Sequence, residues 1–449
     1  MPRADVGVVG SGLAGLTAAI VAADAGARVH VVATGQSTTH WASGAIDVAV
    51  MPGATTPREG VRQLADDNDH PYRFLAPLLP EALETVRGIL AAEGLDLVGG
   101  LDDPLRPLPT AIGATRPVAI VPDGMSAALA AWGSDETLVI CGPAGFRDFW
   151  PEAIAASLRN PASWRGAQSP ARIEAITVEL PDLARRHNLS GLGIARAFDD
   201  PAWRDRALDA IAVAVDRLGL GAGRIALPAV LGLDDHSAVL AAARERLPLA
   251  PFEVPLVPPS IPGLRMYAAL RSALRRRGGR LQIGEAVRGT VGGDRRVHAL
   301  IAPAAAREFV LSVESVVLAT GGIAGGGIVA GDDRVLIETV LGLPIEAPPP
   351  DVWLRSDPFD PAGHPLETAG IRTDDRLRPL EPAGGRSPLV ENVRVCGSLL
   401  AGQRYLRQRC GEAVAIASGV LAGRELCGSP DQAADHPPRA RLAPATAAE

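Results

Sequence analysis

The sequence predicts an α/β fold: a Rossmann-like domain, built from a parallel sheet and a β-meander, with a second α/β lobe inserted into it. The first domain is predicted by an apolar strand, a glycine turn, an alanine-rich helix and a second strand over 6–32, and by the short strand patterns that crowd 280–320. The lobe is predicted by strand and helix patterns that alternate through 126–262. A chain of 449 residues is long enough for two or three lobes.

The composition is that of a globular protein whose main ligand is not a nucleic acid. Hydrophobic residues make up 47% and charged residues 21%, and the net charge of −7 argues against nucleic acid. All 44 basic residues are arginine, so Schiff-base chemistry on a lysine is excluded. The four cysteines are far apart and form no C-x-x-C, which argues against an iron–sulfur centre or another metal site and favours a reduced, cytosolic compartment.

The first strand ends in a turn whose glycines match the G-x-G-x-x-G spacing. Gly10 permits the tight turn, Gly12 lets a phosphate approach the backbone, and Gly15 lets helix and strand pack closely. The amides at the helix N-terminus, beside Ser11, suit an anion. The turn therefore predicts that Gly10, Ser11, Gly12 and Gly15 bind a nucleotide phosphate.

The same stretch permits a second interpretation. Residues 6–23 are uncharged and long enough to resemble a membrane span or the core of a signal peptide. Four glycines, Asp5 at the start and the lack of a small-residue cleavage pattern favour the strand–turn–helix interpretation.

Small and hydroxyl-bearing residues dominate the loop at 34–47, after the second strand. Such a loop suits a position across a cofactor, with hydroxyls and amides pointing inward. The loop residues that we predict to bind the cofactor are Thr34, Gly35, Gln36, Ser37, Ser43 and Gly44.

The middle of the chain predicts one more helix of the first domain and then the inserted lobe. The first-domain helix is at 81–93. For the lobe we expect strands at 137–141, 175–180 and 225–230, and helices at 151–159 and 204–218. The predicted domain limits are 1–125 for the first part of the Rossmann-like domain, 126–262 for the lobe, 263–427 for the second part with a proline-rich segment at 343–365, and 428–449 for a disordered tail.

The remaining elements return to the first domain. An amphipathic helix at 264–277 follows a proline-rich turn, and a helix at 412–424 closes the chain. We expect meander strands at 280–284, 287–291, 296–301, 308–313 and 315–320, and one further strand at 391–398. Two strand ends carry small residues: Thr320 and Gly321 in one, Gly397 and Ser398 in the other.

The three separated pieces, at 10–15, 319–321 and 395–398, occur in the order seen in flavoproteins with two dinucleotide-binding halves, where they hold the phosphate, pass the cofactor and lie against the ribityl chain and flavin ring. The chain as a whole resembles the B subunits of the anaerobic glycerol-3-phosphate dehydrogenases. The segments that carry this resemblance are 35–47, 70–72, 142–149, 178–181, 188–198, 258–265, 318–321, 326–330, 370–374 and 396–398.

The resemblance implies a flavoprotein subunit that works with an FAD-bearing catalytic subunit and an iron–sulfur subunit that anchors the complex to the membrane. Such a complex oxidises sn-glycerol 3-phosphate to dihydroxyacetone phosphate and passes electrons to the quinone pool. The expected location is cytoplasmic, peripheral on the inner face of the membrane through a partner. The flavin that the family implies for this subunit is FMN.

Three positions depart from the usual flavoprotein pattern. No carboxylate stands at 32–34, where a dinucleotide site carries an acid for the ribose. Ser398 replaces a common aspartate, and Glu412 stands where family members tend to carry glycine. These departures leave room for FMN, yet the glycine turn still suits a pyrophosphate, so the residues leave FMN and FAD open.

The candidate catalytic residues are His40 and Arg265. His40 lies in the loop over the flavin and can act as an acid or base, oriented by Asp47, or it can simply hold the loop. Arg265 can bind a phosphate through two N–H groups. Two alternative functions stay open: a stand-alone flavin dehydrogenase or reductase of the succinate/fumarate type, and a degenerate subunit that serves only assembly.

Overall fold

The computed structural model describes residues 2–164, 167–183, 188–284, 286–303 and 308–427. The predicted disordered tail, 428–449, lies outside these residues. The helices are α1 (Leu13–Asp24), α2 (Pro57–Ala65), α3 (Tyr72–Leu75), α4 (Leu79–Ala91), α5 (Pro151–Leu158), α6 (Gly191–Phe198), α7 (Pro201–Asp216), α8 (His236–Arg246), α9 (Ile261–Arg276), α10 (Tyr405–Gln408) and α11 (Gly411–Cys427).

The strands follow the same chain order. They are β1 (Arg3–Val9), β2 (Val29–Ala33), β3 (Leu97–Val98), β4 (Arg106–Pro109), β5 (Thr115–Val118), β6 (Val121–Pro122), β7 (Thr137–Pro143), β8 (Arg172–Val178), β9 (Gly223–Pro228), β10 (Ala250–Val254), β11 (Arg280–Ile283), β12 (Arg288–Val291), β13 (Val297–Ala302), β14 (Phe309–Leu318), β15 (Ile328–Ala330), β16 (Leu336–Glu338) and β17 (Val393–Val395).

The larger sheet has seven strands in the order β11-β2-β1-β14-β13-β12, with β17 paired to β14 as well. Strands β11, β2, β1, β14 and β17 are parallel, whereas β12, β13 and β14 form an antiparallel meander. The predicted combination of a parallel sheet and a β-meander is therefore confirmed.

Two details of the meander prediction are wrong. The strand predicted at 280–284 is β11, which pairs in parallel with β2 at the opposite edge of the sheet. The strands predicted at 308–313 and 315–320 are one strand, β14, because Glu314 is exposed without a turn and both neighbours continue the pairing.

A second sheet, β10-β9-β7-β8, is parallel throughout and lies in the region predicted as a lobe. It has its own hydrophobic core, which also takes in Leu108, Val118 and Val121 from before residue 126. The domain limits given above stay a prediction.

Helices α1 and α11 are parallel and pack closely against each other. A Cβ on Gly419 would lie 2.6 Å from the carbonyl oxygen of Ala14, and one on Gly423 would lie 2.8 Å from that of Ala18, so the two backbones are in close contact. Because α11 begins at Gly411, it extends about 12 Å beyond the level of Ala14 at 1.5 Å per residue.

The uncharged run 6–23 is divided between β1 and α1, which excludes its interpretation as one membrane-spanning helix. Within the described ranges, no helix has the length and apolar character needed to cross a membrane.

Candidate functional site

Two glycines of the turn between β1 and α1, Gly10 and Gly15, cannot be replaced without collision. Gly10 has a φ of +112°, and a Cβ there would collide with the carbonyl oxygen of Ala319. A Cβ on Gly15 would collide with the carbonyl oxygen of Gly10. The turn therefore lies directly against the end of β14, as the spacing predicts.

The N-terminus of α1 presents amides to the space above the turn. The N-cap is Gly12, which has no side chain to accept from the first amides of the helix, and the first hydrogen bond of the helix runs from Leu16 N–H to the Gly12 carbonyl, 2.9 Å. The amides before Leu16 and the positive end of the helix dipole thus suit a phosphate group.

The two small-residue strand ends meet the turn. Gly397 has a φ of +72°, and a Cβ there would lie 2.9 Å from Ala14 Cβ, on α1. A Cβ on Gly322 would lie 2.5 Å from the carbonyl oxygen of Ser398. Residues 10–15, 320–322 and 397–398 therefore come together at the carboxyl ends of parallel strands, where ligands of open α/β sheets bind.

The start of the loop after β2 lies beside the turn. Ser11 Oγ donates to the Gly35 carbonyl over 3.5 Å, and Ser37 Cβ is 3.7 Å from the position that a Cβ on Gly12 would take. Thr34, Gly35 and Gln36 are exposed, and Ser37 is half-buried. No carboxylate stands at the end of β2, which closes at Ala33.

Further along this loop, Ser43 is engaged by protein groups. Its hydroxyl oxygen accepts hydrogen bonds from Arg116 and from Ala45 N–H, the latter at 3.3 Å. Gly44 has a φ of +92°, and a Cβ there would lie 2.5 Å from Pro262 Cβ, at the start of α9. The second half of the loop is thus held by α9 and by Arg116, which the sequence interpretation did not single out.

His40 is buried, with only 5% of its surface exposed. Its Nδ1 is 3.1 Å from Gln36 Oε1, and its ring lies edge-on to that of Tyr267, with centroids 4.6 Å apart. Burial lowers the pKa of His40, so the ring is neutral at neutral pH. Gln36, rather than the expected Asp47, orients the ring.

Arg265 is also buried, and its guanidinium already binds protein acceptors. It donates to both carboxylate oxygens of Glu253, at 2.7 and 3.0 Å, and to the Gly232 carbonyl from Nε at 2.8 Å. This arrangement argues against the predicted phosphate-binding role, because the N–H groups that would form the fork are occupied. The geometry assigns Arg265 to the contact between α9 and the second sheet.

A group of buried ionisable residues lies where α11 begins. The Asp47 carboxylate pairs with Arg116 at 2.5 Å, and the Asp47 carbonyl accepts from Ala413 N–H at 3.1 Å. Burial, and then the negative charge of Asp47, raise the pKa of Glu412 to about 8. Burial also raises the pKa of Asp47 against the effect of Arg116. One of the two carboxyls therefore holds a proton at neutral pH.

His70 and Cys410 form a structural contact beside this group. His70 Nδ1 accepts from Tyr72 N–H at 3.0 Å, and Cys410 Sγ is 3.8 Å from His70 Nε2. Burial raises the pKa of Cys410 far above its ordinary value, so the thiol is not a nucleophile at neutral pH.

The residues present fit a flavin. A flavin phosphate needs main-chain amides, which the α1 turn supplies, and the hydroxyls of its ribityl chain need polar partners. Four buried polar atoms around the turn and the adjoining loop have no hydrogen-bond partner in the described part of the chain: Ser37 Oγ, His40 Nε2, the Tyr267 hydroxyl and Thr320 Oγ1.

The described ranges hold no group of three or more His, Cys, Asp or Glu side chains arranged to bind a metal ion.

Tyr267 is a candidate ligand-binding residue that the sequence analysis missed. Its signal was weak, because a tyrosine inside an amphipathic helix is typical of a core position.

Comparison with known proteins identifies the family of this chain. The family model described as FAD binding domain matches residues 5–414. A probable B subunit of the anaerobic glycerol-3-phosphate dehydrogenase of Halobacterium salinarum is 34% identical, covering 94% of this chain and 97% of the relative. The B subunit of the anaerobic glycerol-3-phosphate dehydrogenase of Yersinia pestis is 32% identical with the same coverage.

Among solved structures, the 3-ketosteroid Δ1-dehydrogenase of Sterolibacterium denitrificans aligns with a TM-score of 0.43 and 12% identity, covering 95% of this chain and 100% of that one. The family model confirms the predicted flavin cofactor, and the relatives confirm the predicted family. The chain therefore contains the FAD binding domain that the family model describes, and it belongs to the family of anaerobic glycerol-3-phosphate dehydrogenase B subunits.

Proposed function

We propose that this chain is the flavin-bearing B subunit of a glycerol-3-phosphate:quinone dehydrogenase complex, which oxidises sn-glycerol 3-phosphate to dihydroxyacetone phosphate. The observation that carries the proposal is the glycine turn at 10–15, together with buried polar atoms in and beside the adjoining loop that have no hydrogen-bond partner among the described residues. The relatives' names support the substrate. A bound flavin would accept the hydride that the alcohol carbon of the substrate loses.

The proposed roles of the chain's own residues follow from their positions. Amides of the α1 turn bind the phosphate, and the strand ends and the loop after β2 position the rest of the flavin. The proposed flavin-binding residues are Gly10, Ser11, Gly12, Gly15, Thr34, Gly35, Gln36, Ser37, Ser43, Gly44, Thr320, Gly321, Gly397 and Ser398. His40 is the proposed acid or base, because its ring is neutral and its Nε2 atom has no hydrogen-bond partner among the residues that the structure describes.

For the cofactor itself we propose FMN. The end of β2 has no acid to hold an adenosine ribose, and Ser37 lies close above Gly12. FAD is the alternative that the family model names. Mass spectrometry of the flavin released from the purified protein distinguishes the two.

The relatives are named as one subunit of a larger enzyme, which supports partner subunits for this chain. We propose an FAD-bearing catalytic subunit and an iron–sulfur subunit that anchors the complex to the inner face of the cell membrane. In this assembly the present chain carries flavin and relays electrons towards the iron–sulfur partner and the quinone pool.

The test is purification of the chain alone and with its co-expressed partner subunits. The proposal expects a yellow protein in both cases, with rapid reduction of an artificial acceptor by glycerol 3-phosphate only in the complex. Turnover by the isolated chain would contradict the relay role. A colourless chain that binds neither FMN nor FAD in either preparation would overturn the proposed function and favour a role in assembly alone.

A further inference from the structure

The pair of rings formed by His40 and Tyr267 joins two distant parts of the chain. His40 lies in the 3-10 turn Thr38–Trp41, directly after Ser37, and Tyr267 lies on α9. The backbone fixes this arrangement: Ser260 N–H donates to the His40 carbonyl at 2.8 Å, and a Cβ on Gly263 would collide with the Thr39 carbonyl. The two side chains therefore face each other across a rigid contact.

Gln36 determines which nitrogen of the His40 ring carries the proton. Because the Gln36 Oε1 atom is an acceptor, Nδ1 of the ring is the nitrogen that carries the proton. In the neutral ring Nε2 is then a lone-pair acceptor, and it is buried without a partner in the described ranges. His40 Nε2 can therefore accept a hydrogen bond from a ligand.

The Tyr267 hydroxyl is the second group of the pair, and it can donate a hydrogen bond. Only 6% of its surface is exposed, and its hydroxyl has no hydrogen-bond partner among the residues that the structure describes. The contrast is Tyr72, which is also buried but whose hydroxyl donates to the Val48 carbonyl at 2.5 Å. A phenol can donate as well as accept, whereas the neutral His40 ring can only accept at Nε2.

A buried polar group without a partner is costly, and two such groups side by side indicate a ligand that supplies the missing hydrogen bonds. A hydroxyl group has the required chemistry, because it donates through its hydrogen and accepts through its oxygen. We infer that His40 Nε2 and the Tyr267 hydroxyl bind hydroxyl groups of a polyhydroxylated ligand. The inference rests on the proposed function, which places a flavin and a polyol phosphate in this region.

The ligand hydroxyl has two possible sources: the ribityl chain of the flavin, and glycerol 3-phosphate. The experiment compares Tyr267→Phe with the wild type and with the control Tyr72→Phe. His40→Leu is a second test of the same pair. Each protein is stripped of flavin, its thermal stability is measured, and FMN, FAD and glycerol 3-phosphate are titrated while flavin fluorescence or protein fluorescence is followed.

We expect Tyr267→Phe to leave the thermal stability of the stripped protein unchanged or raised, because it removes a hydroxyl that lacks a partner. Tyr72→Phe should lower it, because Val48 loses its donor. Tyr267→Phe and His40→Leu should weaken the binding of one ligand by about two- to tenfold, the value of one lost hydrogen bond. Weaker flavin binding identifies the ribityl chain, and weaker glycerol 3-phosphate binding with normal flavin binding identifies the substrate.

Two results would overturn the inference. One is unchanged affinity for all three ligands in both variants, and the other is a loss of stability in stripped Tyr267→Phe as large as that in Tyr72→Phe. Failure of the wild type to bind any flavin is a different outcome, because it removes the proposed function rather than the assignment of Tyr267.

Discussion

Single glycines determine how closely the first strand and helix approach each other. Gly15 packs against the Gly10 carbonyl, and any side chain there must displace the backbone. We expect Gly15→Ala to lower the free energy of unfolding by about 1–3 kcal/mol and to abolish flavin binding, because the turn that we propose to hold the phosphate must open.

Gly88→Ala is the matched control. It lies inside α4 with nothing within 4 Å of an added Cβ, so this change should stabilise the protein by about 0.5–1 kcal/mol. Urea denaturation with a flavin titration measures both effects. Normal flavin affinity in Gly15→Ala would show that the turn does not bind the cofactor.

At the same scale, Glu412 makes the stability of the protein depend on pH. Its pKa is raised from 4.5 to about 8 in the folded state, so the folded protein holds a proton that the unfolded chain releases. The stabilisation is complete below pH 4.5 and is lost as the pH rises through 8. Glu412→Gln should flatten this decline in melting temperature between about pH 5 and 9.

His70 affects the acid side of the same profile with the opposite sign. Burial lowers the pKa of His70 to about 4, so its contribution to stability falls as the pH drops from 6.5 towards 4. In the wild type the Glu412 contribution rises over part of this range and offsets that fall, so Glu412→Gln should expose the acid-side loss of stability. A Glu412→Gln profile that runs parallel to that of the wild type at alkaline pH would rule out the role given to Glu412.

At the scale of elements, α9 is attached to the second sheet through a buried ion pair. Arg265 on α9 binds Glu253 on β10, whose carboxylate also accepts from Leu231 N–H at 2.9 Å. Burial opposes ionisation of Glu253, but Arg265 and its other partners outweigh burial and lower the pKa of the carboxyl. The Glu253 carboxylate therefore remains charged inside the protein.

We expect Arg265→Met to destabilise the protein by about 3–5 kcal/mol, because it leaves the Glu253 charge buried without its cation. The double variant Arg265→Met/Glu253→Leu should recover much of this loss, since it removes the unpaired charge. Chemical denaturation of both variants measures the difference. If the double variant is as unstable as the single one, the loss arises from packing and not from the buried charge.

At the scale of the whole molecule, the proposed flavin site draws on segments from across the chain, so a bound flavin should stabilise the complete fold. A ligand present at about 100 times its dissociation constant contributes about 2.7 kcal/mol. We expect FMN to raise the melting temperature of the stripped protein clearly more than riboflavin at the same concentration, because only FMN has a phosphate for the α1 turn. Equal shifts for the two compounds would argue against phosphate binding at Gly10–Gly15.

Several features of this molecule were predictable from local patterns. The turn at Gly10–Gly15 could be predicted, because its glycine spacing and the apolar strand and helix on either side involve residues that are neighbours in sequence. Three of the four strands of the second sheet, β7, β8 and β9, were also predicted close to their observed positions, whereas β10 was missed. The continuity of β14 could not be predicted, because Glu314 interrupts the apolar pattern. Only the pairing with β1 and β13 shows that the strand continues through this residue.

The sequence by itself determined the fold class, the flavin cofactor and the family of this protein, since each depends on motifs whose residues are close together or occur in a set order. Only the tertiary structure decided which side chains pair: Gln36 with His40, Arg116 with Asp47, and Arg265 with Glu253. It also brought Tyr267 to His40 from a distant part of the chain. The physical reason is that hydrogen bonds and ion pairs act over a few ångströms, and distances of that kind are set by packing between elements rather than by position along the chain.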